Sequence, residues 1–383
     1  MKAPLHSPAF LLAITGSLLL FTGCGGGGSG GREFVTLGTA PVGGAFKPVG
    51  DAIASTLNEN KGENNWQVQS KGTKGSQQNI RMLESGEIQL GMSNSAISYH
   101  GVHGTGVWTK TYELRTVVTL APNVGLFITK ADSGIQSLAD LSGKRVAVGP
   151  AGAGFQMFLE PLLESHGVAW DSFTQVNQTY SDAVGLLGDG NIDAAFMGGA
   201  IPTPAVTQAC TTHDIAFIPY DESTRMTLIN DNEKYPYFQQ AAIPATNQDG
   251  KPTYRGMAED FAALNVGSMH VITTANQSED LIYKLTKTIW ENRSAIAQQH
   301  KAGNAINEKN AARFTGTPFH PGAIRFYREI GIWPTETDQE SGNAEEAQPA
   351  TEHENTTADD EGADAAATTE SEADDSAPVP EAE

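Results

Sequence analysis

Cysteine is nearly absent from this chain: Cys24 and Cys210 are the only two in 383 residues. With Cys24 at the end of an N-terminal apolar run, no intramolecular disulfide is expected. The nine histidines show no H-x-x-x-H spacing and no pairing with cysteine, so neither a metal centre nor a cofactor is expected. No G-x-S-x-G stands between a strand and a helix pattern, and there is no supported nucleophile–base pair, which argues against an enzyme. Cys210 reads as a small buried hydrophobe. Basic residues are scarce as well, with 24 Lys and Arg against 45 Asp and Glu, a net charge of −21. An acidic chain without a basic stripe is not expected to bind nucleic acid.

What is present first is a pair of distinctive ends. Lys2 precedes an apolar run from Phe10 to Phe21 that is too short to span a bilayer. Thr22-Gly23-Cys24 closes the run in a pattern that resembles a bacterial lipoprotein signal. Residues 1–23 therefore read as a cleaved signal, and Cys24 as a lipidation site anchoring the protein in the periplasm or at the cell surface. A glycine-rich tether fills 24–33. At the other end, residues 335–383 hold 17 acidic side chains and no Lys or Arg. The remaining 28 acids against 24 basic residues leave only −4 for the rest, so the acidity belongs to the tail. Almost without apolar side chains, that tail reads as disordered.

Between the ends, Phe34–Leu37 reads as a strand and Gly38–Gly44 as a glycine-bearing turn. A helix follows, with apolar residues at Phe46, Val49, Ile53 and Leu57. Gly38 to Gly43 fits G-x-x-x-x-G, but Gly44 and Ala45 stand where a phosphate loop needs Lys and Ser or Thr. Two readings stay open, an ordinary glycine turn and an anion held by the free N–H groups of the helix start. The pattern recurs. A second turn, Lys71–Ser76, precedes a helix for which Ser76 reads as N-cap, with Asn79 within reach of the same end. A third, Gly149–Phe155, precedes the helical pattern around Leu159, Leu162 and Leu163, and its spacing is not a dinucleotide fingerprint.

The expected ligand-binding set is Thr39, Gly43, Gly44 and Phe46 from the first turn, and Thr73, Gly75, Ser76 and Asn79 from the second. Asn94 and Ser95 after the third strand join it, with Gly152, Gly154 and Phe155 from the third turn and Gly198 and Gly199 beyond a later strand. The segment Leu83–Leu90 is echoed by Leu187–Ala194, and Asn123-Val124-Gly125 by Asn265-Val266-Gly267. Two similar α/β halves joined by two crossing strands around a ligand cleft follow from these echoes. The expected divisions are lobe 1 over 34–124, lobe 2 over 125–266 and a return to lobe 1 over 267–334.

Six ordered stretches resemble the TAXI family of TRAP-transporter solute receptors: GTAPVGGAFKPVGDAIASTLN from Gly38, TKGSQQNIRMLESGEIQLGMSNSA from Thr73, DLSGKRVAVGPAGAG from Asp140, TYSDAVGLLGDGNIDAAFMGGA from Thr179, DLIYKLTKTIWEN from Asp280 and PFHPGAIRFYREIG from Pro318. The resemblance implies a type II periplasmic-binding-protein-like α/β fold. It also implies a monomeric receptor that captures a small organic anion, such as glutamate or a related carboxylate, for the membrane subunits of a TRAP transporter. A receptor of the same fold feeding a membrane sensor kinase is the alternative. The chain departs from the family pattern at Ala45-Phe46, at Asn94-Ser95-Ala96 and at Ala153 and Phe155, where polar or aromatic groups are lost. Those losses point to a less polar ligand than glutamate.

Overall fold

The computed structural model describes residues 32–247 and 249–334. The expected signal, Cys24 and the acidic tail lie outside the described residues. Strands follow in chain order as β1 (Glu33–Gly38), β2 (Trp66–Lys71), β3 (Leu90–Asn94), β4 (Leu114–Thr119), β5 (Val124–Lys130) and β6 (Arg145–Ala147). Then come β7 (Thr174–Val176), β8 (Ala194–Gly199), β9 (Ile215–Ile218), β10 (Phe238–Ile243), β11 (Phe261–Val266) and β12 (Met269–Thr274). The helices that matter for the site are α1 (Phe46–Glu59), α2 (Ser76–Glu84), α3 (Ser95–His103), α4 (Gln156–Ser165), α5 (Tyr180–Gly188) and α6 (Pro204–Thr212).

Two sheets result. The first has the order β2-β1-β3-β12-β4, with β1 parallel to β2 and β3, and β12 antiparallel to β3 and β4. The second has the order β10-β11-β5-β8-β6-β7, with β9 also on β5. There β6 is parallel to β7 and β8, and β5 runs antiparallel to β8. The expected helical face of α1 is the one that packs: Val49, Ile53 and Leu57 are buried, and the indole of Trp66 on β2 donates to Leu57 O at 3.0 Å. The last helices return to the first sheet, where the Tyr327 hydroxyl donates to Val117 O at 2.9 Å.

The chain passes from the first sheet to the second between Thr119 and Val124 and comes back between Val266 and Met269. The two passages hydrogen-bond to each other. Leu120 N–H donates to Met269 O at 2.7 Å, Met269 N–H to Ala121 O at 2.9 Å, and Val266 N–H to Asn123 O at 3.0 Å. One buried core lies under the first sheet around Val49, Ile53 and Val117. The other surrounds Phe127, Phe158 and Phe196 of the second lobe and extends into α3 through Ile97.

Candidate ligand-binding site

The lobes touch across the cleft. Gln77 N–H at the start of α2 donates to Ala153 O at 3.2 Å, and Ala205 N–H donates to Gly43 O at 3.3 Å. His100 Nε2 on α3 lies 3.2 Å from the Tyr237 hydroxyl of the second lobe. Enclosed between the lobes is a cavity of about 50 Å³.

Five helix starts line this cavity. They are Ala45 and Phe46 of α1, Gly75 and Ser76 of α2, Asn94 at the cap of α3, Phe155 at the cap of α4, and Thr179 and Tyr180 of α5. The starts of α1, α2 and α4 carry no side-chain cap, so first-turn N–H groups there have no intrahelical partner. The positive ends of several helix dipoles thus meet at one point, a setting that favours an anion. Among the described residues Lys74 is the only charged one in the wall, and no Asp or Glu lines it. Phe46, Pro41, Pro150 and Phe155 supply apolar surface.

Of the expected site residues, Gly44, Phe46, Gly75, Ser76, Asn94, Phe155 and Gly198 stand in this wall. Several others do not, and the reason is how their side chains are spent. Asn79 is fully buried, and its amide donates to Gly38 O (3.3 Å), Thr39 O (2.8 Å) and Met92 O (2.8 Å). In that role Asn79 holds the first turn against β3, outside the cavity wall. The Thr73 hydroxyl donates to Thr39 O at 2.8 Å and accepts from Gly75 N–H at 3.1 Å, and Thr39 is itself buried and donates to Lys71 O at 3.0 Å. Both threonines brace the second turn. Ser95 is buried outside the wall, and Gly152 is exposed beside an outer groove with Gln78 and Arg81. Gly43 offers its carbonyl to Ala205, Gly154 packs against Gln77, and Gly199 packs behind the wall beside Thr203.

The cap of α2 is also reassigned. Gly75, at φ +113°, occupies the cap position and Ser76 is the first helical residue. A left-handed backbone of this kind requires glycine. The Ser76 oxygen accepts from Asn94 N–H at 3.0 Å, which leaves its own proton to donate into the cavity. The Asn94 side chain is saturated: Oδ1 accepts from Ala96 N–H, and Nδ2 donates to Val266 O and Gly267 O.

Sequence reasoning missed two groups. Asn123 is only 4% exposed, lines the cavity, and its carboxamide makes no hydrogen bond among the described residues. Its backbone N–H is fixed by Asn265 Oδ1 at 3.0 Å. The echo of Asn123 by Asn265 was the available signal, but Asn265 spends its amide on Gln239 and Ser268. Tyr180 is the other. Burial pushes its hydroxyl far above the ordinary phenol range, against an opposing hydrogen bond from the Gly198 amide, so it stays protonated and able to donate. Cys210 in α6 is buried and its thiol is pushed up to about 11 by that burial, which makes it inert as a nucleophile at neutral pH. Among the described residues no cluster of His, Cys, Asp and Glu could hold a metal ion, and no helix is long and apolar enough to cross a membrane.

Solved structures with a similar arrangement are distant in sequence. PhnD1 from Prochlorococcus marinus in complex with methylphosphonate is 10% identical, with a TM-score of 0.47 over 79% of this chain and 100% of that one. The periplasmic aliphatic sulphonate binding protein SsuA from Escherichia coli is 16% identical, with a TM-score of 0.43 over 79% and 84%. The model of the NMT1-like family matches residues 37–331, which cover every element that builds the cavity, and the chain belongs to the NMT1-like family.

Proposed function

We propose that this protein is an extracytoplasmic solute receptor that captures a small organic anion between its lobes and passes it to a membrane transporter. The observation that carries this reading is the convergence of five helix starts on one cavity between the lobes, with a lysine and, among the described residues, no acid in its wall. In such a place a carboxylate replaces lost water with charge-assisted hydrogen bonds, from the Ser76 and Tyr180 hydroxyls, the Asn123 amide and first-turn N–H groups. The wall has no nucleophile–base pair, so binding and release is the chemistry it supports.

Within that reading, the transporter is of the TRAP type and the receptor is a monomer tethered through a lipid on Cys24. These parts rest on the six motifs and the N-terminal pattern of the sequence. Changing Cys24→Ser should release the protein into the soluble fraction or leave its signal uncleaved. The receptor reading itself is tested by thermal-shift screening against a small-acid library, since a ligand that binds the native state raises its melting temperature. If no acid raises it, the reading is wrong.

A further inference from the structure

We infer that the ligand is a short monoanion with an apolar body and no amino group, and that Asn123 is the residue that sets this preference. The inference rests on the receptor reading above and narrows its ligand class.

The wall's charge balance comes first. An ammonium group carries three donors and needs acceptors for them, and in proteins that role falls to carboxylates when the group is buried. Among the described residues no Asp or Glu lines the cavity. The helix starts that face it present the positive ends of their dipoles, which repel a cation as they attract an anion. An amino acid would therefore lose the hydration of its ammonium without compensation. A second carboxylate is disfavoured for a different reason: Lys74, at the exposed edge, is the wall's only full positive charge.

Size comes next. A cavity of about 50 Å³, at about 10–15 Å³ for each water-sized site, holds about three to five of them. Propionate is of that order. Phe46, Pro41 and Phe155 then cover the short chain.

Asn123 decides between these ligands because its carboxamide is neutral, 4% exposed and unpartnered among the described residues. It can donate to a carboxylate without adding the negative charge that an ammonium would require.

Titration calorimetry with matched ligands tests this on the purified parent protein, using propionate, alanine, β-alanine and malonate. Propionate should bind roughly tenfold or more tightly than each of the other three, a difference of about 1.4 kcal/mol. Asn123→Asp should weaken propionate by a similar factor and strengthen β-alanine. Asn123→Ala should weaken propionate without gaining β-alanine. Equal or tighter binding of alanine, β-alanine or malonate by the parent overturns the inference while leaving the receptor reading intact. An Asn123→Asp protein with an unshifted preference and an unchanged melting temperature overturns the role of Asn123. Heat from none of the four, together with no thermal shift across the wider acid library, overturns both.

Discussion

Gln89 and Asp193 hold the same place in the two lobes. The Gln89 side chain accepts from Thr36 N–H on β1 at 2.9 Å, while its own N–H donates to Thr36 O at 3.1 Å. The Asp193 side chain accepts from Arg145 N–H on β6 at 2.8 Å, and its N–H donates to Arg145 O at 2.8 Å. Each carbonyl then accepts a threonine hydroxyl at 2.7 Å, from Thr273 on β12 and from Thr129 on β5. The preceding helix stops match as well: Ile88 N–H reaches back to Met82 O, and Ile192 N–H to Leu186 O. The sequence echo between Leu83–Leu90 and Leu187–Ala194 is thus a repeated set of bonds.

From this pairing, Asp193→Ala should cost about 1–3 kcal/mol of stability in urea unfolding, because a strand N–H loses its acceptor. Asp193→Asn keeps an acceptor and should cost about 1 kcal/mol or less. Hydrogen bonding from the Arg145 side chain holds the Asp193 carboxyl below its ordinary value. A lowered carboxylate contributes stability that is present above the unfolded-state value and lost as pH falls through the folded one. The gap between parent and Asp193→Asn should therefore close in acid, below the ordinary carboxylate range. A gap that widens there would contradict the assignment.

Asn79 and Ser76 should separate stability from binding. Asn79→Ala removes a donor shared by three carbonyls, of which Thr39 O keeps the Thr73 hydroxyl, and should lower the melting temperature at a cost of roughly 1–3 kcal/mol. Ser76→Ala also removes the acceptor of the buried Asn94 N–H and should cost a comparable amount of stability, but unlike Asn79→Ala it should weaken the acid by about tenfold. Calorimetry on both variants checks the contrast. The reverse pattern would restore Asn79 as a ligand residue.

Gly267 should be intolerant of a side chain. Its φ is +108°, and a Cβ there would come within 2.3 Å of Asn94 Oδ1 and 2.8 Å of Ala96 N. Gly267→Ala should cost roughly 1–3 kcal/mol in strain alone, and more as Asn94 is displaced from the crossing. Gly167, at φ +78° with nothing within 4 Å of its would-be Cβ, is the control. Equal melting temperatures for the two variants would remove the crowding argument.

Acid should favour the open form through His100. Burial, with the neighbouring His103 adding to it, lowers its pKa from 6.5 to about 4 where it meets Tyr237 across the lobes. In an open form the ring is hydrated and near its ordinary value, so the open form binds the proton first. Closure, and with it ligand affinity, should therefore weaken as pH falls from about 6.5 towards 4. His100→Gln should flatten that profile. A parent whose affinity rises across this window would reverse the sign.

The regular parts of this fold were legible because they depend on near neighbours. The apolar spacing of Phe46, Val49, Ile53 and Leu57 gave α1, and the glycine stops at Gly86 and Gly190 gave the helix ends. The fate of polar side chains was not legible, because it depends on distant partners. Asn79 is captured by carbonyls of β1 and β3, Thr73 by the turn after β1, and Asn123 is held by its backbone to Asn265, 142 residues on, while its carboxamide takes no partner among the described residues. In the sequence, nothing adjacent to any of them marks its distant partner.

The central claim is that the cavity is built for negative charge, and one comparison addresses it most directly. The melting temperature of the purified protein should be measured with increasing propionate and, in parallel, with propionamide, its neutral isostere. The account predicts a saturable rise with the acid and little or none with the amide, because only the acid meets the helix starts and Lys74 as an anion. An equal rise with both, or a rise with the amide alone, would contradict it.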